Sequence, residues 1–241
     1  MEGRKDFWDR NALRYDRFMR KDRAAYEALY ALIRPVVKGK TVLELATGTG
    51  MIAKHIVSEA KHIEATDASA EMIAEAKREN RRTKLYFSVQ DMFHLPYADQ
   101  SFDVVIVSNA LHVVAQPEKA LAEIRRVLKD DGVLIAPTFT HGDNMLYGRA
   151  RALCMKLAGF PLHSKWGCTD YLDFLEKNGW RVRKSTVLQA SFPLTYAECE
   201  KGAEPVELQG RPAKSRSWHT GNSSNIVGSL PKYFEFCFVE T

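Results

Sequence analysis

The chain has 241 residues, with 35 Lys and Arg against 30 Asp and Glu for a net charge of +5, and it is 45% hydrophobic and 27% charged, the composition of an ordinary soluble globular protein. A chain of this length buries roughly 70–75% of its unfolded surface, enough for one core without help from disulfides or a structural metal. Its longest uncharged apolar stretch, Val104 to Ala115, is too short for a membrane span of ~20 residues and is broken by Ser108, Asn109 and His112.

Residues 7–34 are predicted to be helical. Tyr26, Leu29, Tyr30 and Ile33 fall at the i, i+3, i+4, i+7 spacing of one buried stripe, and Pro35 closes the run. Residues 1–40 alone carry +5. That charge reads as a solvated helix face or as an attraction for an anionic substrate or phosphate-rich surface. The period then changes. Thr41 to Leu45 is a short β-rich run, 46–50 a glycine loop, and Met51 to Ala60 helical again. The alternation continues through a strand at 62–66, a helix at 69–80, a strand at 84–89, the strand Phe102 to Val107, and a helix near 117–128 with Pro117 in its first turn. Gly132 to Phe139 supplies a fifth strand. Repeated β-α-β units with short apolar strands predict an α/β fold with a doubly wound parallel sheet.

After the irregular stretch 140–166, a helix from Thr169 to Asn178 stops at Gly179, and Trp180–Leu188 and Ser191–Cys199 read as two antiparallel strands joined by a tight turn. Residues 201–241 read as a loosely ordered tail, with a strand-like alternation at Phe234 to Phe238. The expected organisation is a helical lid over 1–40, a catalytic domain over 41–200 and that tail.

In open α/β sheets, ligands bind beyond the carboxyl ends of the strands at the point where strand order reverses. The loop after the first strand, Glu44 to Gly50, carries glycines that let backbone N–H groups approach a ligand closely. The loop after the second strand offers Asp67, an acceptor for both hydroxyls of a ribose. The spacing of 17 positions from Gly50 to Asp67 suits one nucleoside spanning two loops. Gly48-Thr49-Gly50-Met51-Ile52-Ala53 also fits the G-x-G-x-x-A pattern of dinucleotide-binding folds, so on this loop alone a nicotinamide-dependent oxidoreductase remains an alternative. Three features weigh against it: some 40 residues of helix precede the first strand, Gln90-Asp91-Met92 forms a polar, acidic loop after the third, and no second domain of catalytic size follows.

Together, Val42 to Gly50, Glu64 to Met72, Val89 to Tyr97 and Phe102 to His112 resemble the class I S-adenosylmethionine-dependent methyltransferases, over roughly residues 7–200. The resemblance is greatest to the small-molecule branch that includes ubiquinone/menaquinone C-methyltransferases and phospholipid N-methyltransferases, whose aromatic leader is similar to Phe7-Trp8 and Tyr15-Asp16. It implies a Rossmann-like, mostly parallel seven-stranded sheet with an antiparallel last strand, S-adenosylmethionine as cofactor and S-adenosylhomocysteine as product. Ala46 departs from the family, which commonly has its first glycine there.

By this resemblance, Glu44 helps hold the cofactor's ammonium, and backbone near Ala46, Thr47, Gly48 and Gly50 passes its methionine part. Asp67 binds the ribose hydroxyls. Ala68 and Met72 pack on adenine. Asp91, beside Gln90, accepts from the adenine amino group, and the Met92 N–H donates to the ring. Ser108 and Asn109 lie near the methionine end, and Tyr15 closes the site from above. Plainer roles compete: Met72 serves equally as core, Asp91 as a turn cap, and Tyr15 as a core aromatic of the leader.

Methyl transfer is an in-line displacement in which the protein aligns the reacting atoms and excludes water. If a base is used, His112 and His141, just beyond strands four and five, are the candidates, although each could equally hydrogen-bond locally. The expected acceptor is a small molecule or lipid-like compound, under a lid of Phe139, Met145, Leu146, Tyr147, Leu153, Met155 and Phe160 that could also simply close the core. Ser108-Asn109-Ala110-Leu111 is not the N-P-P-Y-type segment of DNA adenine and protein glutamine methyltransferases, and no nucleic-acid-binding motif is present. Cys154, Cys168, Cys199 and Cys237 lack disulfide or zinc spacing, and no metal is expected. The charged start Met1 to Asp6 has no secretion signal's apolar core, so a cytoplasmic location is expected. A fold that binds the cofactor without turnover is the remaining alternative.

Overall fold

The computed structural model describes Asp9 and residues 20–78, 80–140, 164 and 166–203. The helices described here are α1 (Arg23–Val37), α2 (Met51–Ile56), α3 (Ala70–Lys77), α4 (Pro117–Val127) and α5 (Cys168–Lys177). The strands are β1 (Thr41–Leu45), β2 (His62–Asp67), β3 (Leu85–Val89), β4 (Phe102–Val107), β5 (Leu128–Ile135), β6 (Thr138–Phe139), β7 (Trp180–Leu188) and β8 (Leu194–Lys201). They form one sheet in the order β3-β2-β1-β4-β5-β8-β6, with β7 on the other side of β8. β1 to β5 pair in parallel, whereas β8 runs antiparallel to β5, β6 and β7. Chain order reverses between β1 and β4, which puts the switch point at the carboxyl ends of those two strands.

Both faces are covered, as a parallel sheet requires. One core layer joins Tyr26, Leu29, Ile33 and Val37 of α1 to Ile52 and Ile56 of α2, Ile73 of α3, and Val42, Ile63, Phe87 and Tyr196 of the sheet. The other joins Leu121 and Ile124 of α4 and Tyr171 and Leu175 of α5 to Leu43, Leu45, Val105, Val107 and Leu134. The loop from β3 to β4 is fastened to α4 by Arg126, which donates to Leu95 O at 3.0 Å and Tyr97 O at 2.7 Å and pairs with Asp99 and Glu123.

Four sequence expectations shift. Pro35 does not end its helix: it lies in the last turn, and α1 continues to the fully buried Val37. α2 stops at Ile56 rather than Ala60. The fifth strand is two pieces, β5 and β6, parted at Ala136-Pro137, where Pro137 has no N–H to offer the ladder. Both pieces still face β8, through Leu134–Cys199 and Thr138–Thr195, and with β6 counted the sheet has eight strands rather than seven. The last strand begins at Leu194, so β7 and β8 are joined by residues 189–193 instead of a tight turn. Most of the tail and most of 140–166 lie outside the described residues. Among the described residues no helix is long and apolar enough to cross a membrane, and no group of His, Cys, Asp and Glu could hold a metal ion.

Candidate functional site

β1 delivers Glu44 and then a sharply turned loop. Ala46, Gly48 and Gly50 take φ of +50°, +56° and +77°, a left-handed series that glycine adopts freely and alanine only under strain. Gly50 also has a packing reason, because a Cβ there would sit 2.6 Å from two atoms of the Phe87 ring. The loop is tied to β2 by Thr47 N donating to Thr66 O at 2.9 Å and by Gly48 N donating to Asp67 Oδ2 at 2.8 Å.

Asp67 ends β2 and braces two loops at once, since its Oδ1 accepts from Ser69 N at 2.9 Å. Its carboxyl is pushed above the ordinary value by burial and, more weakly, by the nearby Asp9 carboxylate, with the N–H groups of Ser69, Gly48 and Ala68 pulling the other way. Ser69 caps α3 by accepting from Met72 N at 3.1 Å and donates its hydroxyl to Asp9 at 2.5 Å. Ala68 is exposed and Met72 buried, on either side of that cap. Beyond β3, Gln90 N donates to Asp67 O at 3.0 Å. The exposed Asp91 turns on itself, its Oδ1 accepting from Phe93 N at 3.0 Å, and Met92 packs partly buried against the second core layer.

At the end of β4, Ser108 precedes Asn109, whose φ is +52°. Both ends of the Asn109 amide are engaged: Nδ2 donates to Tyr26 Oη at 2.9 Å, and Oδ1 accepts from Phe139 N at 3.0 Å. The buried His112 follows, its Nδ1 2.8 Å from the Thr138 hydroxyl. Tyr15 and His141 fall outside the described residues.

The electrostatic centre is Glu44, 2% exposed. Burial drives its carboxyl up to about 8; the adjacent Thr47 hydroxyl and Ala53 N–H oppose the rise, and the Asp67 charge adds to it. Among the described residues, Ser108 Oγ is a buried polar atom with no hydrogen-bond partner, and Glu44 Oε2 and Thr47 Oγ1 are buried with no polar group beside them but each other's and the Ala53 N–H. Such atoms are rare in native interiors because each forfeits its hydration. Three at the carboxyl ends of two adjacent strands form a polar lining that suits the ammonium and carboxylate of an amino-acid group. Asp67, one strand over, suits a ribose. The donor set therefore fits an aminoacyl nucleoside such as S-adenosylmethionine.

Sequence reasoning missed Tyr26 and Thr138 as partners of site residues, and Asp9 as the partner of Ser69. Only Ser69 left a local signal, a serine immediately before a helix.

Residues 43–136 match the family model described as a methyltransferase domain. The demethylmenaquinone methyltransferase of Renibacterium salmoninarum is 40% identical over 105 residues, 44% of this chain and 44% of that protein. The chain spans about half the length, or less, of the curated relatives it matches. A methyltransferase solved in complex with the Trm112 activator of Haloferax volcanii shares the fold with a TM-score of 0.70 at 19% identity, over 83% of this chain and 98% of that one. The DhpI–SAH complex gives a TM-score of 0.64 at 26% identity, over 84% of this chain and 97% of that one. The matched segment runs from within β1 to just past β5 and contains the ends of β1 to β4 and the loops that follow them. Residues 43–136 are therefore similar to a methyltransferase domain, in a Rossmann-like fold that the chain shares with the DhpI–SAH complex.

Proposed function

We propose that the protein binds S-adenosylmethionine and methylates a small, apolar, quinone-like acceptor, releasing S-adenosylhomocysteine. The observation that carries this reading is the set of buried polar atoms, Glu44 Oε2, Thr47 Oγ1 and Ser108 Oγ, whose hydrogen-bonding capacity is unfilled among the described residues, at the switch point near Asp67. A dinucleotide site would use the same glycine loop and Asp67, but it has no need of a buried carboxyl under the loop to meet an ammonium.

In this reading Glu44 ionises against the ammonium, and backbone at Ala46, Thr47, Gly48 and Gly50 lines the methionine part. Asp67 turns its carboxylate to the ribose hydroxyls. Ala68 and Met72 flank the adenine, and Asp91, with Gln90 and the Met92 N–H, meets its polar edge. When bound, the cofactor supplies an electrophilic methyl group. The chain's own task is then to hold the acceptor atom in line at ~3 Å and keep water away. His112, its ring oriented by Thr138, takes a proton from a phenolic or enolic acceptor, with His141 the second candidate base by its place in the sequence just beyond the fifth strand and Tyr15 assigned by resemblance to close the site. Phe139 against Phe192, with ring centroids 6.1 Å apart, forms an aromatic wall at the end of β6 that suits an apolar ring. The quinone assignment also draws support from the name of the bacterial relative.

The test is transfer of label from methyl-labelled S-adenosylmethionine to a short-tailed demethylmenaquinol, the hydroquinone prepared by dithionite reduction because the oxidised quinone is no nucleophile, with calorimetric titration of S-adenosylhomocysteine, NADH and NADPH alongside. Labelled product together with S-adenosylhomocysteine binding is the expected result. Binding without transfer across quinone, phenol and amine acceptors would make this a non-catalytic module, and binding of a nicotinamide alone would overturn the cofactor.

A further inference from the structure

β4 ends in a bracket that reaches well beyond its own loop. Asn109 holds a left-handed backbone, a conformation that persists in a non-glycine residue only where the surroundings fix it. Three bonds do so here. Asn109 N donates to Pro137 O at 2.9 Å, Nδ2 donates to Tyr26 Oη at 2.9 Å, and Oδ1 accepts from Phe139 N at 3.0 Å. The peptide that follows Ser108 is thus clamped between α1, which carries Tyr26 at 3% exposure, and the β5–β6 edge. The Ser108 hydroxyl is buried without a hydrogen-bond partner among the described residues.

The register places this hydroxyl relative to the rest of the site. Leu45 pairs with Thr66 on one side and with Val107 on the other, so β2, carrying Asp67, and β4, leading into Ser108, flank β1 on opposite sides. A nucleoside held by its ribose at Asp67 therefore brings its far end across the β1 loop to Ser108.

Resting on the cofactor assignment above, which puts Ser108 at the amino-acid end of the cofactor, we propose that Tyr26, acting through Asn109, is a positioning residue for that end of the site. α1 then tunes recognition of one end of the ligand while touching none of it. Asn109 serves as the link rather than as a ligand contact, because both ends of its amide are already engaged.

The test compares S-adenosylhomocysteine with 5′-methylthioadenosine, which keeps the nucleoside and lacks the amino acid. Calorimetry on the full chain is run for wild type, Tyr26→Phe, Ser108→Ala and the double variant. Ser108→Ala removes an unpartnered hydroxyl, so it should fold as well as wild type and supplies a readout even if Tyr26→Phe is poorly folded. Each single variant is expected to weaken S-adenosylhomocysteine about five- to tenfold. Methylthioadenosine affinity should stay within about twofold, and Tyr26→Phe should add nothing in the Ser108→Ala background. Equal weakening of both ligands, no weakening, or additive effects in the double variant would overturn the proposal while the cofactor assignment stood. Failure of wild type to bind either ligand would overturn the cofactor assignment, and the proposal with it.

Discussion

Glu44 offers the most direct test of how the site is built, because its chemistry must change when the ligand arrives. In the free protein its carboxyl titrates at about 8, so at pH 7 it is about nine-tenths protonated. A cofactor ammonium beside it favours the carboxylate, and binding should therefore release about 0.9 proton per ligand at pH 7. Calorimetric enthalpies for S-adenosylhomocysteine, measured in phosphate and in Tris, should differ by that proton number times the difference in buffer protonation enthalpy. The dependence should fade by pH 9.5 and be absent in Glu44→Gln. The same titration sets a stability profile. The folded value lies above the ordinary 4.5, so Glu44's contribution is intact below pH about 4.5 and is lost as pH rises through about 8, a loss of roughly 4–5 kcal/mol at full ionisation. Glu44→Gln should accordingly be the more stable protein at pH 9 and show no advantage at pH 4.5 in urea unfolding. Buffer-independent binding enthalpies in wild type at pH 7 would refute the reasoning, since they would mean that the carboxyl is already ionised or never meets the ammonium.

Ala46→Gly should relieve the left-handed strain at φ +50° and, after glycine's entropic cost, raise unfolding free energy by about 0.5–1 kcal/mol; a lowered urea midpoint would contradict this. Gly50→Ala combines φ +77° with a Cβ 2.6 Å from the Phe87 ring and should cost roughly 2–4 kcal/mol, whereas an unchanged melting temperature would show that the loop yields easily. Asp67→Ala orphans the N–H groups of Gly48 and Ser69, so a stability loss of roughly 1–3 kcal/mol should accompany a loss of S-adenosylhomocysteine affinity of at least ~100-fold. Near-normal affinity by calorimetry would remove Asp67 from the site.

The elements legible in the sequence are those whose residues are dictated by burial on both faces. Thr41–Leu45 and Phe102–Val107 are found at the expected residues because a central parallel strand must be apolar throughout. Prolines misled in opposite directions. Pro35 looked like a stop, yet a proline in a last turn disturbs little, and burial of Val37 carries α1 on. Pro137 lies inside the run Gly132 to Phe139, which reads as one strand, yet its missing N–H divides that run into β5 and β6. At the candidate site, the turned glycine loop after β1 and the place of Asp67 at the end of β2 were legible because both are local to the chain. The engagement of Asn109 was not, because its partners Tyr26 and Phe139 lie 83 and 30 positions away and no periodicity encodes such a pairing. The elevated Glu44 carboxyl was equally hidden, since it depends on burial, a property of the folded layer and not of the residue.

The two ends of the site are consequently built on different principles. Toward β2 and β3 the polar groups already have partners: Asp67 accepts from Gly48 and Ser69, and Asp91 caps its own turn. A ligand there must compete with bonds that hold the loops in place, so that end trades one satisfied arrangement for another and gains modestly. Between β1 and β4, by contrast, Glu44 Oε2, Thr47 Oγ1 and Ser108 Oγ are buried with hydrogen-bonding capacity unfilled among the described residues. Each such atom costs the free protein roughly 1–3 kcal/mol, a cost that a ligand bearing an ammonium and a carboxylate removes. In the assignment proposed here, discrimination therefore concentrates at the amino-acid end of the cofactor, next to the methyl group to be transferred, while the nucleoside end supplies orientation. In that assignment the free protein gives up hydrogen bonding where the ligand would restore it, as expected when a protein departs from ideal packing at its functional site.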